Sequence, residues 1–268
     1  MIEPFEPISG GNSRCAFIFA HYDDAALDAA ALLKAAPQGS IDMVLCSGVP
    51  TGALNRLRQS AIPAWVRRQK LTRLVFHAFG RPVYGEWDDQ CGFTVPTQEV
   101  MRVREQEHEQ VCEIFGVDTF GLDVLDNQYA IRGGRSFEEA VARAIELVRE
   151  RQIERVVTHP LNAAHPDHAK TVRLAKEVCK ATGAGMINVC ERPYTVCEQG
   201  ECAYSNTDNA ARSTTLELDD EAWPVKYEAV SVYRTQIDGL SGSFPYDWTE
   251  RKYLGVECYH APGDRTEA

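Results

Sequence analysis

The 268-residue chain has no apolar run of about 18 residues, the least that spans a bilayer as a helix, so no membrane partner is expected. Basic residues are in deficit. The 28 Lys and Arg against 39 Asp and Glu leave a formal charge of −11, which argues against nucleic acid or an anionic lipid surface as partner. Met1-Ile2-Glu3-Pro4-Phe5 is acidic and lacks an apolar signal core, so a cytoplasmic, non-secreted protein is expected. The nine cysteines include no C-x-x-C pair, and reduced cytosolic thiols are expected. Cys15, Cys46 and Cys190 sit in or beside apolar runs, where a free thiol behaves as a small hydrophobe. Cys190, Cys197 and Cys202 cluster loosely, at a spacing that matches no zinc pattern. No Gly-rich phosphate loop follows the first apolar run. His21-Tyr22-Asp23-Asp24 is acidic where a phosphate needs backbone amides and glycine, so nucleotide binding is set aside. Histidine is sparse as well, seven in all, yet His159, His165 and His168 fall within ten residues.

What is present alternates. Residues 1–14 carry Gly and Pro without periodicity and read as an arm. Residues 15–20 read as a buried strand, 26–36 as an Ala/Leu-rich helix ending before Pro37, and 41–46 as a second buried strand. That opening implies a parallel sheet with a right-handed crossover. Residues 48–96 are irregular, with Pro50, Pro63, Pro82 and Pro96 and a basic stretch over 56–73, and read as a functional insert. Thr97 is placed to cap a helix over 99–115 stopped by Gly116, followed by a short strand at 122–125. Ser136 with Glu139 forms a capping box for a helix running to about residue 152. A strand over 153–158, a helix over 167–180 and a strand over 185–190 come next. After them come a polar loop over 191–215, a helix over 223–236 and a polar tail from about 261 to 268. The expected fold class is α/β, a Rossmann-like doubly wound, mostly parallel sheet forming a single domain from residue 15 to 268. In such sheets ligands bind beyond the carboxyl ends of the strands.

Two segments put histidine and carboxylate at that rim: Ala20-His21-Tyr22-Asp23-Asp24 after the first strand, and His165-Pro166-Asp167-His168 after the strand at 153–158. Neutral imidazole plus carboxylate suits a divalent transition metal, and spare Asp and His side chains beside the ligands suit metal-assisted hydrolysis. Taken one at a time, the same residues have plainer uses. Asp23 and Asp24 would serve as helix cap and first-turn acid, Asp167 as a cap, and His168 as a surface residue. His159 is divided between pocket and structural roles, and His77, His108 and His260 are ordinary.

The first segment resembles the His-Pro-Asp-Asp-Glu motif of the PIG-L/LmbE family of zinc-dependent N-deacetylases and amidases, and His165-Pro166-Asp167-His168 matches the family's second motif unchanged. Arg104 and Glu107 match an Arg-x-x-Glu element, and Asp126 with Gln128-Tyr129 an acidic element. Trp87 through Phe93 looks like a loop of one bacterial branch, and Lys226, Tyr233 and Gln236 fit a weak C-terminal pattern. The likeness covers roughly residues 15–240. It implies that His21, Asp24 and His168 hold Zn²⁺, with a fourth position left for water. Fe²⁺ suits the same donors. It further implies that Asp23 is the base, that His165 stabilises the oxyanion and protonates the leaving amine, and that Asp167 orients His165. His21 at a strand end and Asp24 in the first helical turn can converge on one point while Asp23 is turned elsewhere. Arg104, Asp126, Tyr194 and Trp87 are candidates for binding substrate, although Arg104 and Asp126 would serve equally as a structural ion pair.

The chain departs from the pattern at Tyr22 (for Pro) and Ala25 (for Glu), and Ala163 stands where some relatives carry Tyr. The resemblance implies hydrolysis of a small N-acylated substrate, most plausibly an N-acetylated amino sugar or glycoside. Alternatives are an amidase on a thiol conjugate or natural-product intermediate, and a non-catalytic metal- or ligand-binding homologue. A homo-oligomer is left open.

Overall fold

The computed structural model describes residues 13–47, 86–88, 93–95, 98–124, 135–192, 211–241 and 250–262. The strands are β1 (Cys15–Phe19), β2 (Ile41–Val44), β3 (Glu86–Asp88), β4 (Phe93–Val95), β5 (Asp118–Gly121), β6 (Arg155–Thr158), β7 (Gly185–Val189), β8 (Ala211–Glu217) and β9 (Val256–Pro262). The helices are α1 (Asp24–Ala35), α2 (Gln98–Phe115), α3 (Phe137–Glu150), α4 (Pro166–Thr182), α5 (Ala222–Val232), α6 (Arg234–Ser241) and α7 (Arg251–Leu254). One sheet carries seven strands in the order β5-β2-β1-β6-β7-β9-β8. The first five are parallel, and β9 and β8 are antiparallel additions at one edge.

Apolar alternation on β1 explains the layering. Phe17 and Phe19 face one side of the sheet and pack with α1, α2 and α5 through Leu27, Val111 and Ala229. Ala16 and Ile18 face the other and pack with α3 and α4 through Leu147 and Leu174. A strand buried on both faces in this way reads as a continuous apolar run rather than an alternating one. The chain winds outward from β1 through β2 to β5, then returns to the other side of β1 with β6 and β7. The strand order therefore reverses between β1 and β6, where a doubly wound sheet opens its ligand crevice.

Helix α1 breaks at Ala29 (φ −139°, ψ 26°). The groups freed from its ladder are taken up by the buried charges of Glu257 on β9, Lys226 on α5 and Arg192 just after β7. Ala30 and Ala31 donate their N–H groups to Glu257 at 3.0 and 3.1 Å. The Leu27 carbonyl accepts from Lys226 Nζ at 2.7 Å and from Arg192 at 3.2 Å. Lys226 and Glu257 are themselves paired at 2.6 Å, so neither charge is left alone in the core.

Several expectations need correction. The middle strand is Asp118–Gly121, not 122–125. It lies at the sheet edge and is largely exposed, so no apolar run marks it. Residues 122–124 still extend the pairing, through Leu122 N–H to Val44 O and Val124 N–H to Leu45 O. The loop expected over 191–215 ends in strand β8, a seven-residue Thr/Ser-rich antiparallel edge that a search for buried strands passes over. The helix expected over 223–236 is two helices, parted at Tyr233 (ψ 56°). The described part of the insert is an antiparallel pair, β3 and β4, with Trp87 opposite Thr94. Among the described residues no helix is long and apolar enough to cross a membrane. Residues 1–12 of the arm and 263–268 of the tail lie outside the described residues.

Candidate metal centre

Main-chain hydrogen bonds fix the turn after β1. The His21 N–H donates to Asp24 Oδ2 at 2.7 Å, and Leu27 N–H closes on Asp23 O. After β6, His165 caps α4, and Pro166 in the first turn needs no N–H partner. The two segments meet at the reversal of strand order. His21 Nδ1 lies 3.3 Å from Asp24 Oδ2, His168 Nε2 lies 3.5 Å from the same oxygen, and the two imidazole nitrogens are 3.3 Å apart.

The proton positions follow from the partners. Glu191, fully buried, accepts from His168 Nδ1 at 2.8 Å and from the Ala164 and His165 N–H groups at 2.6 and 2.8 Å. A carboxylate only accepts, so the His168 proton is on Nδ1 and Nε2 is bare. His21 Nε2 faces Asp167 Oδ2 at 3.8 Å; burial alone would lower this imidazole, but Asp24 and Asp167 hold it well above its ordinary value, so an ion at the site would have to displace the proton on Nδ1. The three donor atoms form a triangle with edges of 3.3–3.5 Å. Tetrahedral zinc with bonds of about 2.0–2.1 Å needs ligand separations of about 3.3–3.4 Å, so the donor set fits a small divalent ion.

The electrostatics agree with that fit. Burial alone would raise the Asp24 carboxyl, but His168, His159 and His21 hold it well below the usual carboxylate range. Burial, and then the charge of Asp24, pushes neighbouring Asp23 up to about 6. Asp23 makes no side-chain cap bond to α1, so its carboxylate is not consumed by the cap role open to it in sequence. His165 is lowered by burial and by His21 and His168, and so is neutral near pH 7. Its Nδ1 accepts the Asp167 N–H at 3.2 Å, which leaves the proton on Nε2 as a donor. The Asp167 carboxylate stands 3.9 Å from His165 Nδ1 and bonds Lys170 at 2.8 Å. Asp167 therefore steers His165 through its main chain.

His159 is fully buried and lowered to about 4 by burial and by His168. Its Nε2 accepts the Ala20 N–H at 3.0 Å, and its ring stacks on His168 with centroids 3.8 Å apart. His159 Nε2 also lies 3.4 Å from Asp24 Oδ2, but it is already taken up by the Ala20 N–H. Arg104 on α2 is half-buried, and its Nε, buried, has no hydrogen-bond partner among the described residues. Glu107 accepts from the N–H and hydroxyl of Thr235 at 3.1 and 2.5 Å and so secures the start of α6. Asp126, Tyr194 and the side chain of Trp87 lie outside the described residues. Sequence reasoning missed Glu191. It follows β7 in a Cys-Glu-Arg run that carries no ligand-like spacing, and only its place at the same rim marks it.

No protein of curated function matches the sequence. Among solved structures, the A40926 pseudoaglycone deacetylase Dbv21 is similar at 21% identity and a TM-score of 0.61, over 94% of this chain and 97% of that one. The zinc-inhibited form of teicoplanin deacetylase Orf2 is similar at 18% and 0.59, over 95% and 100%. GalB, the 4-carboxy-2-hydroxymuconate hydratase from Pseudomonas putida KT2440, is similar at 17% and 0.52, over 95% and 98%. At these identities the likeness establishes the fold. The family is established by sequence: residues 16–179, which contain both histidine segments, match the PIG-L profile described as GlcNAc-PI de-N-acetylase. The chain therefore belongs to the PIG-L family of deacetylases, hydrolases of amide bonds.

Proposed function

We propose that this chain is a divalent-metal-dependent N-deacetylase of the cytoplasm that releases acetate from an N-acetylated amino sugar or glycoside. The observation that carries the reading is the triangle of donor atoms from His21, Asp24 and His168, with Asp23 and His165 beside it. A Zn²⁺ or Fe²⁺ ion held there would acidify water and polarise the amide carbonyl. Asp23, with its carboxyl near 6, is a base matched to neutral pH and takes the proton of the attacking water. His165 donates a hydrogen bond from Nε2 to the oxygen of the tetrahedral intermediate, and the proton that Asp23 took from water passes to the departing amine, by way of His165 as that ring gives up its Nε2 proton, so that Asp23 ends ionised and His165 neutral as they began. Asp167, through its N–H on His165 Nδ1, keeps that donor tautomer. The similarity to the A40926 pseudoaglycone and teicoplanin deacetylases supports an N-acylated small molecule as substrate.

A second reading, water addition across the double bond of a small unsaturated acid, rests on the Arg104 Nε that has no partner among the described residues, a ready carboxylate donor, and on the similarity to a hydratase. The test is acetate release from a panel of N-acetylated amino sugars by protein loaded with Zn²⁺ or Fe²⁺, with Asp23→Asn as control. Release that the variant lacks supports deacetylation. Loss of ultraviolet absorbance from an unsaturated dicarboxylate, without acetate release from any amide, would move the assignment to the second reading.

A further inference from the structure

Away from the centre described above, three metal-binding side chains meet inside the core. Asp42 on β2 faces His108 and Cys112, which are four residues apart and so on one face of α2. Asp42 Oδ2 is 2.9 Å from His108 Nε2, and Cys112 Sγ is 3.5 Å from that nitrogen and 3.9 Å from that oxygen. All three residues are buried. Zinc bound to sulfur at about 2.3 Å and to nitrogen and oxygen at about 2.0–2.2 Å sets tetrahedral edges of about 3.3–3.6 Å. The observed triangle brackets those values.

A hydrogen-bonded Asp–His pair alone leaves two things unexplained. Asp42 Oδ1 is buried with no hydrogen-bond partner among the described residues, an arrangement that carries a full desolvation cost. Cys112 also sets a soft third donor against both partners where an apolar side chain would pack as well. We propose that Asp42, His108 and Cys112 form a second, structural divalent-metal site, with Asp42 Oδ1 turned in as the fourth donor of a bidentate carboxylate. One thiolate and one carboxylate neutralise the dication, so binding leaves no net charge in the core. His108 Nδ1 then donates to Tyr233 OH, 2.8 Å away, which is the outer hydrogen bond that a metal-bound imidazole usually makes. Mixed sulfur, nitrogen and oxygen donors in a closed, buried setting select zinc over magnesium or calcium. The site joins β2 to α2 and, through Tyr233, to the junction of α5 and α6. It thereby fixes the helix that carries Arg104.

Metal-free protein is reloaded with Co²⁺ alone, and bound cobalt and its absorption are measured together. Two cobalt ions per chain and a thiolate-to-cobalt charge-transfer band are expected, because His21, Asp24 and His168 supply no thiolate. Cys112→Ser should lose the band and one ion, His168→Ala should lose the other ion and keep the band, and Cys46→Ser should keep both. A wild-type protein with one ion and no thiolate band overturns the proposal and leaves the deacetylase reading standing, as does a band that survives Cys112→Ser. Should Cys112→Ser not fold, the band in His168→Ala decides: present it supports the site, absent it refutes it.

Discussion

Replacing Glu191 with glutamine changes one atom type at a position that touches none of the three proposed ligating atoms. In the native protein Oε1 accepts from His165 N–H and His168 Nδ1, both at 2.8 Å, and Oε2 accepts from Ala164 N–H at 2.6 Å. All three partners are donors, and a carboxylate satisfies them all. A glutamine must set its NH₂ against one of them. Kept in the native orientation it meets the Ala164 N–H donor to donor, and flipped it faces both the His165 N–H and the imidazole. Either way at least one buried hydrogen bond to a charged acceptor is lost, at about 1.5–3 kcal/mol each. The charge that makes His168 a stronger donor is lost too. Changes of this kind behind a metal-bound histidine weaken metal affinity about 10- to 100-fold, which corresponds to about 1.4–2.7 kcal/mol. The Zn²⁺ Kd of Glu191→Gln, measured by competition with a chelator of known affinity, should therefore rise by that factor. Activity at saturating metal should fall less. A Kd within about threefold of wild type would refute the argument that Glu191 polarises His168, whatever happens to stability.

Further predictions are narrower. Asp23→Asn should lower kcat by about 10²–10⁴ with metal content unchanged, the loss expected of a missing general base; an assay of turnover beside metal analysis checks both halves. Glu257→Gln leaves Lys226 buried and unpaired and weakens the acceptor for the Ala30 and Ala31 N–H groups. It should cost about 3–5 kcal/mol in urea unfolding, and a loss under about 1 kcal/mol would mean that water or another group takes over. In metal-free protein, His159 has a folded pKa of about 4 against about 6.5 unfolded, so the unfolded chain binds more protons between those values. The stability this supplies is complete above pH 6.5 and is lost as pH falls toward 4. Linkage gives a loss of about 2 kcal/mol at pH 5. His159→Phe should show that much less destabilisation between pH 7 and pH 5, and an unchanged difference would contradict the assignment.

How much was legible in sequence depended on where each signal came from. The parallel strands β1, β2, β6 and β7 announce themselves because they are largely buried on both faces and rich in apolar residues. Strands β5 and β8 do not, because edge strands carry polar side chains, and β8 pairs with β9 about 45 residues on, a separation that no local pattern records. His21, Asp24 and His168 could be found because two short segments concentrate them. Glu191 and His159 act from single positions whose importance is purely spatial: one lies just past the end of β7, and the other is stacked on His168. His108 reads as ordinary by itself. Only the fold brings β2 against α2 and gives it Asp42 and Cys112 as company.

The same logic bears on the two departures from the family motif. A missing glutamate at position 25 looks, in sequence, like lost support for the ligands. In the structure Ala25 is buried and joins the apolar cluster below the sheet, where a carboxylate would need a partner of its own. The imidazoles obtain their carboxylates from elsewhere: His168 from Glu191 at 2.8 Å, and His21 from Asp167 at 3.8 Å. Tyr22, in place of proline, packs its ring 5.1 Å from His108, while the turn it occupies is held by the His21 N–H on Asp24 Oδ2. Restoring glutamate by Ala25→Glu should therefore weaken the protein rather than strengthen its grip on metal. It inserts a charge into a packed apolar site, at a cost of several kcal/mol, behind ligands that already have their acceptors. Thermal unfolding of the metal-loaded variant checks this, and a raised Tm with tighter metal binding would show that Glu191 and Asp167 do not do the work assigned to them.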